Sequence, residues 1–258
     1  MPEGDSIVRL ARRLRPALGE EPLRVSAPHP RGRLAGVGAL DGRRLERIDT
    51  HGKHLLLRFE GELVLHSHIA MTGRWGTFRP ESVGERTLRA AWIVLEGGPK
   101  VVAEYRGPTL RVLTALQARG DLRLRSLGPD ALAPDFDPGH VLRRIRRGAQ
   151  DRALADVLLD QRLIAGPGLI YASEGPAAAR LHPLELVGTL SDQCLLDVIA
   201  ATRDLMLEAV ESGRQPKTVQ SRKGKPCLRC GSAIEGAAVG DHARRAYWCP
   251  ACQPRLRA

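Results

Sequence analysis

Cysteines stand at positions 194, 227, 230, 249 and 252, and the last four make two Cys-x2-Cys pairs separated by 18 residues. Each pair offers two thiolates from a tight knuckle, and the two pairs together meet the tetrahedral demand of one zinc ion. Sulfur fills all four ligand positions, so no place is left for a catalytic water. One structural Zn2+ held by Cys227, Cys230, Cys249 and Cys252 is therefore expected. Cys194 falls in a helical pattern with Leu195, Val198, Ile199, Leu205 and Met206, and reads as a core thiol.

The opening Met1-Pro2-Glu3-Gly4 is the second place where residue types suggest chemistry. Removal of Met1 turns Pro2 into a secondary amine. Such an amine attacks an aldehyde-level carbon and forms an iminium, an electron sink that acidifies the neighbouring C–H. Glu3 beside it is placed to donate and accept the proton. A helix beginning here would turn its positive end toward the same spot, favouring the neutral amine and a bound phosphate.

The chain has 258 residues with 40 Lys+Arg against 29 Asp+Glu, a formal charge of +11. The charge is uneven: +7 over residues 1–132, −4 over 133–212 and +8 over the last 46 residues. Of the basic residues 35 are Arg, whose planar forks match phosphates and guanine edges. A polyanionic partner, nucleic acid first, is the expectation. No apolar run approaches the roughly 18 residues a membrane span needs, and no secretory signal is visible, so a cytosolic protein is expected.

Periodicity supplies the elements that must carry these residues. Residues 5–18 read as an amphipathic helix with Ile7, Leu10, Ala11, Leu14 and Leu18 on one face, capped by Asp5 or Ser6. From about 23 to 116 the pattern changes to short β-like runs such as Leu55–Phe59, Leu63–Leu65, Trp92–Leu95 and Val101–Ala103, which reads as a sandwich or barrel. Residues 126–138 are a linker by composition. Helical segments follow near 139–147, 151–163, 168–179 and 191–211, and then the cysteine hairpin. The expected fold is a multidomain α+β chain: an N-terminal β-sandwich with an N-terminal helix over 1–125, a linker over 126–138, a helical module over 139–215 and a four-cysteine zinc finger over 216–258.

Five motifs in order resemble the formamidopyrimidine-DNA glycosylase and endonuclease VIII family of base-excision repair enzymes. They are Met1-Pro2-Glu3-Gly4, Gly52-Lys53-His54-Leu55-Leu56, the His66–Trp75 stretch around Met71, Leu158-Leu159-Asp160-Gln161 through Ala165-Gly166-Pro167-Gly168-Leu169-Ile170-Tyr171 to Glu174, and Tyr247-Trp248-Cys249-Pro250-Ala251-Cys252-Gln253. The fourth resembles the family's helix–two-turn–helix signature, and the first resembles its endonuclease VIII branch. The resemblance implies a bifunctional DNA glycosylase and abasic-site lyase. In such an enzyme Pro2 attacks C1′ of a flipped, damaged nucleotide, Glu3 is the general acid and Lys53 holds a phosphate. Met71 would fill the hole left by the flipped base. Gly168 and Tyr171 would belong to the DNA-binding hairpin, and Arg244 or the adjacent Arg245 would meet phosphates beside the lesion, with Arg244 preferred. The implied partner is double-stranded DNA carrying oxidised bases or abasic sites, bound by a nucleoid-associated monomer, with no membrane.

The sequence departs from that pattern in ways that point to oxidised pyrimidines and away from the oxidised-purine branch. Leu169 stands where the family has Asn, Pro167 separates the two glycines and removes one N–H donor, and Ser6 stands where a second carboxylate is expected. The wedge stretch has Ala70 and Thr72, and Tyr105–Leu110 lacks the purine branch's Asp-Pro-Arg-Arg-Phe. The alternative these departures allow is a damaged-DNA binder of the same fold without catalysis. A zinc-ribbon transcription or translation factor would use the basic tail but leaves Pro2-Glu3 unexplained.

Overall fold

The structure, a computed structural model, describes residues 2–239 and 244–256; the expected removal of Met1 concerns a residue outside them. The chain forms two compact units, Ser6–Ser126 with Pro2 in one and Leu127 onward with Glu3–Asp5 in the other.

Helix α1 (Gly4–Leu18) belongs to the first unit from Ser6 onward. Its apolar residues Ile7, Leu10, Leu14 and Leu18 recur every three to four positions and are all buried, so one stripe faces the core as the amphipathic pattern requires. Strands β1 (Arg24–Ser26), β2 (Leu45–His51), β3 (His54–Phe59), β4 (Leu63–His68), β5 (Arg74–Phe78), β6 (Ile93–Glu96), β7 (Val101–Tyr105) and β8 (Thr109–Thr114) follow, interrupted by short helices α2 (Pro30–Leu34) and α3 (Glu85–Leu88). They form two antiparallel sheets, ordered β1-β6-β7-β5 and β2-β3-β4-β8. Leu55, Leu57, Phe59 and Leu65 of one sheet share a core with Val25, Trp75, Ile93, Leu95 and Val102 of the other and with the α1 stripe. The expected sandwich, with its N-terminal helix, is thus the observed arrangement. Helices α4 (Ala115–Gly120) and α5 (Leu122–Arg125) close the unit. Thr114 and Gln117 make a reciprocal capping box at the start of α4.

The second unit contains α6 (Pro138–Gly148), α7 (Leu154–Leu159), α8 (Leu169–Ala178), α9 (Asp192–Ser212) and the hairpin of β9 (Glu235–Val239) with β10 (Arg244–Trp248). Its core joins Val141, Ile145, Leu158, Tyr171, Ala172, Val198, Ile199 and Met206. Ser191 caps α9 and Gly213, at φ 74°, ends it. The stretch 126–138 is tied down: Ala131 is fully buried, and its N–H reaches the Ala165 carbonyl at 3.0 Å. Asp130 and Asp137 satisfy the next N–H groups at Leu132 and Gly139, which explains how a segment with a linker's composition packs without regular structure. Cys194 is half-buried against the second core.

Candidate active site and metal centre

The geometry around Glu3 is set by residues far away in sequence. Glu3 is completely buried. Its Oε2 accepts the Gly168 N–H at 2.8 Å and its Oε1 accepts the Ile170 N–H at 3.0 Å. Those donors open α8, whose N-cap Gly168 supplies no side chain of its own; the Glu3 carboxylate caps the helix in its place. Space forces the glycine, because a Cβ at 168 would lie 2.6 Å from the Glu3 Cδ. One residue on, the Gly4 N–H donates to the Gly166 carbonyl at 3.0 Å. A Cβ on Gly4 would meet Met206 Cε at 2.9 Å and Gly166 Cα at 3.0 Å. Glu3 is thereby held at its side chain and Gly4 at its backbone; Pro2, which directly precedes them in the chain, is half-buried.

A residue to which the sequence assigned no role completes this arrangement. Gln161 accepts the Gly166 N–H at 3.0 Å and donates to the Pro167 carbonyl at 2.8 Å, bracing the turn that presents Gly168. Pro167 costs this turn nothing, since the N–H groups used for Glu3 come from positions 168 and 170. Glu174, at the end of the same motif, is buried and accepts the N–H groups of Val219 and Gln220 and the Thr218 hydroxyl. It ties α8 to the segment leading into the cysteine hairpin.

Of the expected DNA-binding residues, Gly168 acts on Glu3, and Tyr171 is elsewhere than the surface. The Tyr171 ring is fully buried among the second unit's core residues, so its side chain packs the helix and is not presented to a ligand. Every residue from Tyr171 to Ala177 is buried, which leaves that stretch of α8 no solvent face for a ring to occupy. Leu169 is half-buried at the N-terminus of α8.

In the first unit Lys53 sits in a two-residue turn, Gly52-Lys53, closed by the pairing of His51 with His54. Gly52 takes φ 56°, as the first central position of such a hairpin requires. Met71 is 78% exposed, at the tip of a tight loop in which the Gly73 N–H returns to the Ile69 carbonyl at 2.7 Å. This loop rests on the 105–108 segment: Thr72 donates to the Arg106 carbonyl at 3.1 Å, and a Cβ on Gly73 would come within 2.7 Å of Gly107 Cα. Beneath that segment lies Glu104, fully buried and accepting the Gly107 N–H at 2.6 Å. Burial pushes its carboxyl up to about 7.

The four cysteine sulfurs all lie within 4.8 Å of one another, and Cys230 Sγ and Cys249 Sγ are 3.4 Å apart. A tetrahedral zinc with sulfur ligands separates them by about 3.8 Å, so the set fits one ion. Cys252 is pushed up to about 12, first by its contact with Cys230, because crowded thiols resist joint ionisation until a cation holds them. Gln253 anchors the knuckle, accepting the Cys249 N–H at 3.0 Å and donating to the Leu181 carbonyl at 2.7 Å. In β10, Ala246 and Trp248 are buried. Strand alternation places Arg244 on their side, half-buried, and Arg245 on the exposed side.

The described fold, a β-sandwich unit followed by a helical unit with a cysteine hairpin, is that of solved DNA glycosylases. The Lactococcus lactis formamidopyrimidine-DNA glycosylase bound non-covalently to DNA containing an abasic site superposes with a TM-score of 0.84 at 21% identity, over 98% of this chain and 100% of that one. Family models place the chain more narrowly. The formamidopyrimidine-DNA glycosylase N-terminal domain matches residues 1–125, the H2TH domain of the same glycosylase residues 127–221, and the zinc finger found in FPG and IleRS residues 224–255. The chain belongs to the formamidopyrimidine-DNA glycosylase family. Similar relatives are the probable endonuclease 8 2 of Streptomyces coelicolor, 37% identical over 98% of this chain and 94% of the relative, and the DNA-(apurinic or apyrimidinic site) lyase Nei2 of Mycolicibacterium smegmatis, 36% identical over 98% and 99%. The formamidopyrimidine-DNA glycosylase of Thermus thermophilus is 34% identical over 98% of each chain. No helix among the described residues is long and apolar enough to cross a membrane.

Proposed function

We propose that this protein is a bifunctional DNA glycosylase and abasic-site lyase that removes oxidised bases, mainly pyrimidines, from duplex DNA. The observation that carries the reading is the clamp on Glu3 by the Gly168 and Ile170 N–H groups, which fixes the carboxylate of the residue that follows Pro2 in the chain. The freed Pro2 nitrogen attacks C1′ of the damaged nucleotide, the C1′–N bond breaks, and the base departs with the proton that the amine gives up; Glu3 then protonates O4′ as the C1′–O4′ bond opens, and the sugar is left as an iminium on Pro2. The resulting iminium acidifies C2′. Loss of that proton expels the 3′ phosphate, and a second elimination expels the 5′ phosphate.

Lys53 is assigned to a phosphate near the reacting sugar, Met71 to the gap left by the flipped base, and Arg244 with Arg245 to phosphates beside the lesion. The exposure of Met71 and the basic character of the last 46 residues support these assignments. The zinc ion would hold the hairpin that carries the two arginines. The protein would work as a monomer on the cell's DNA in the nucleoid.

The test is borohydride reduction in the presence of an abasic-site duplex and a panel of oxidised bases. A covalent adduct is expected with the wild type and none with Pro2→Gly. The absence of an adduct on every substrate would overturn the lyase reading. The apolar Leu169 favours a second reading, a damaged-DNA binder without catalysis; tight lesion binding with no strand cleavage would establish it.

A further inference from the structure

A row of polar rings crosses the outer face of the sheet that carries the Lys53 turn. β3 pairs Leu56 with His66 on β4, and β4 pairs His66 with Arg111 on β8. Strand alternation therefore sets His54, His66, His68 and Arg111 on one face, opposite the buried Leu55, Leu57 and Leu65.

The contacts form a continuous chain. Asp121 caps α5, its Oδ1 accepting the Arg123 and Leu124 N–H groups, and its Oδ2 lies 2.6 Å from the Arg111 guanidinium. Arg111 Nε and NH2 lie 3.2 and 3.1 Å from His66 Nδ1. His66 Nε2 is 2.8 Å from His54 Nδ1, and the His54 ring stacks on His68 at 4.6 Å between centroids.

The chemistry of the donors gives this chain a direction. A guanidinium has hydrogens only to donate, so His66 Nδ1 must accept. A neutral His66 then carries its hydrogen on Nε2 and donates it to His54 Nδ1, leaving the His54 hydrogen on its own Nε2. Both rings are held neutral. Burial, then His68, His66, His51 and Arg111, lower His54 to about 3. Burial and Arg111, with His68 and Arg123 adding and Asp121 opposing, lower His66 to about 4. Burial and the nearby Lys53 ammonium lower His68 as well.

We propose that His54 is a positioning residue: the hydrogen-bonded chain from Asp121 through Arg111 and His66 locks His54, and with it the end of the turn that presents Lys53. The inference rests on the assignment of Lys53 to a DNA phosphate. His54 directly follows Lys53 and closes its turn against His51, so a fixed His54 ring leaves the lysine backbone one place to start from. A side chain as long as lysine gains precision only from a rigid base.

Two readouts on the full chain test this. Long-range 1H–15N spectra should show His66 bare at Nδ1 and protonated at Nε2, with no titration between pH 8 and 5.5; a proton on Nδ1, or titration near the ordinary histidine value, overturns the chain. In single-turnover cleavage of an abasic-site duplex, His54→Phe keeps a ring over His68 but loses the acceptor. It should slow cleavage roughly ten-fold with duplex affinity little changed. His54→Asn, which returns an acceptor near the Nδ1 position, should recover most of the rate. A His54→Phe rate equal to wild type, or a His54→Asn rate no better than His54→Phe, overturns the proposal. Should His54→Phe fail to fold, Arg111→Gln breaks the same chain from its other end and must show the same loss of rate. A wild type that cleaves nothing overturns the functional reading itself, which separates that failure from this one.

Discussion

The carboxylate of Glu3 occupies the space that a side chain at Gly168 would need, and it accepts that glycine's N–H at 2.8 Å. The two residues are mutually exclusive in volume and bonded in fact. Gly168→Ala should therefore displace Glu3, because a Cβ 2.6 Å from its Cδ cannot be accommodated without movement. Cleavage of an abasic-site duplex is expected to fall about 100-fold while far-UV circular dichroism stays that of the wild type. Wild-type cleavage by Gly168→Ala would show that the position of Glu3 is not critical.

Gln161 should matter through the same turn. Its carboxamide accepts from the Gly166 N–H and donates to the Pro167 carbonyl. Gln161→Ala leaves a backbone donor and acceptor unsatisfied, at a cost of about 1–3 kcal/mol. Urea denaturation checks the stability, and borohydride trapping is expected to slow in parallel.

The zinc ion should govern DNA affinity. Cys249 is buried and Ala246 and Trp248 beside it pack inward, so Cys249→Ser or chelation is expected to unravel the hairpin and abolish duplex binding in a gel-shift assay. The first unit's core contains no residue of that hairpin. Hydrogen exchange should accordingly show the amides of β3 and β4 still protected.

Stability should depend on pH through Glu104. Its folded carboxyl is raised to about 7 from an ordinary 4.5, so the folded state prefers the protonated form. The stability this contributes is complete below the unfolded value and is lost as pH rises through about 7, in total about 3 kcal/mol. Glu104→Gln removes the ionisation and retains an acceptor for the Gly107 N–H. Compared by urea denaturation at each pH, the variant should gain on the wild type between pH 5 and 8; a constant difference would refute the buried ionisation.

Met71 carries the opposite expectation, function without stability. It is 78% exposed, and Met71→Ala should change unfolding free energy by no more than about 0.5 kcal/mol. Excision of an oxidised base from duplex DNA should nonetheless slow, whereas cleavage at an existing abasic site is affected less.

What the sequence determined by itself lies in local spacing. Two Cys-x2-Cys pairs bring four sulfurs together because each knuckle is a few residues long. The apolar stripe of α1 and the alternation of β3 and β4 decide which side chains face the first core. The Pro2-Glu3 pair is adjacent in the chain, so its chemistry was legible before any fold was known.

What only the tertiary structure decided lies in contacts between distant residues. The partners of Glu3 are 165 and 167 positions away, and no period in a sequence marks such a pairing. Tyr171 was assigned to the DNA-binding hairpin through the resemblance of its motif alone. α8 is enclosed on every side from Tyr171 to Ala177, and a helix without a solvent face has no amphipathic pattern from which burial can be told. The histidines on β3 and β4 were visible as residues but not as a chain, since their alignment depends on the register of three strands and on the cap of α5. Local periodicity is set by backbone geometry that each residue shares with its neighbours, whereas a clamp or relay is set by how finished elements pack.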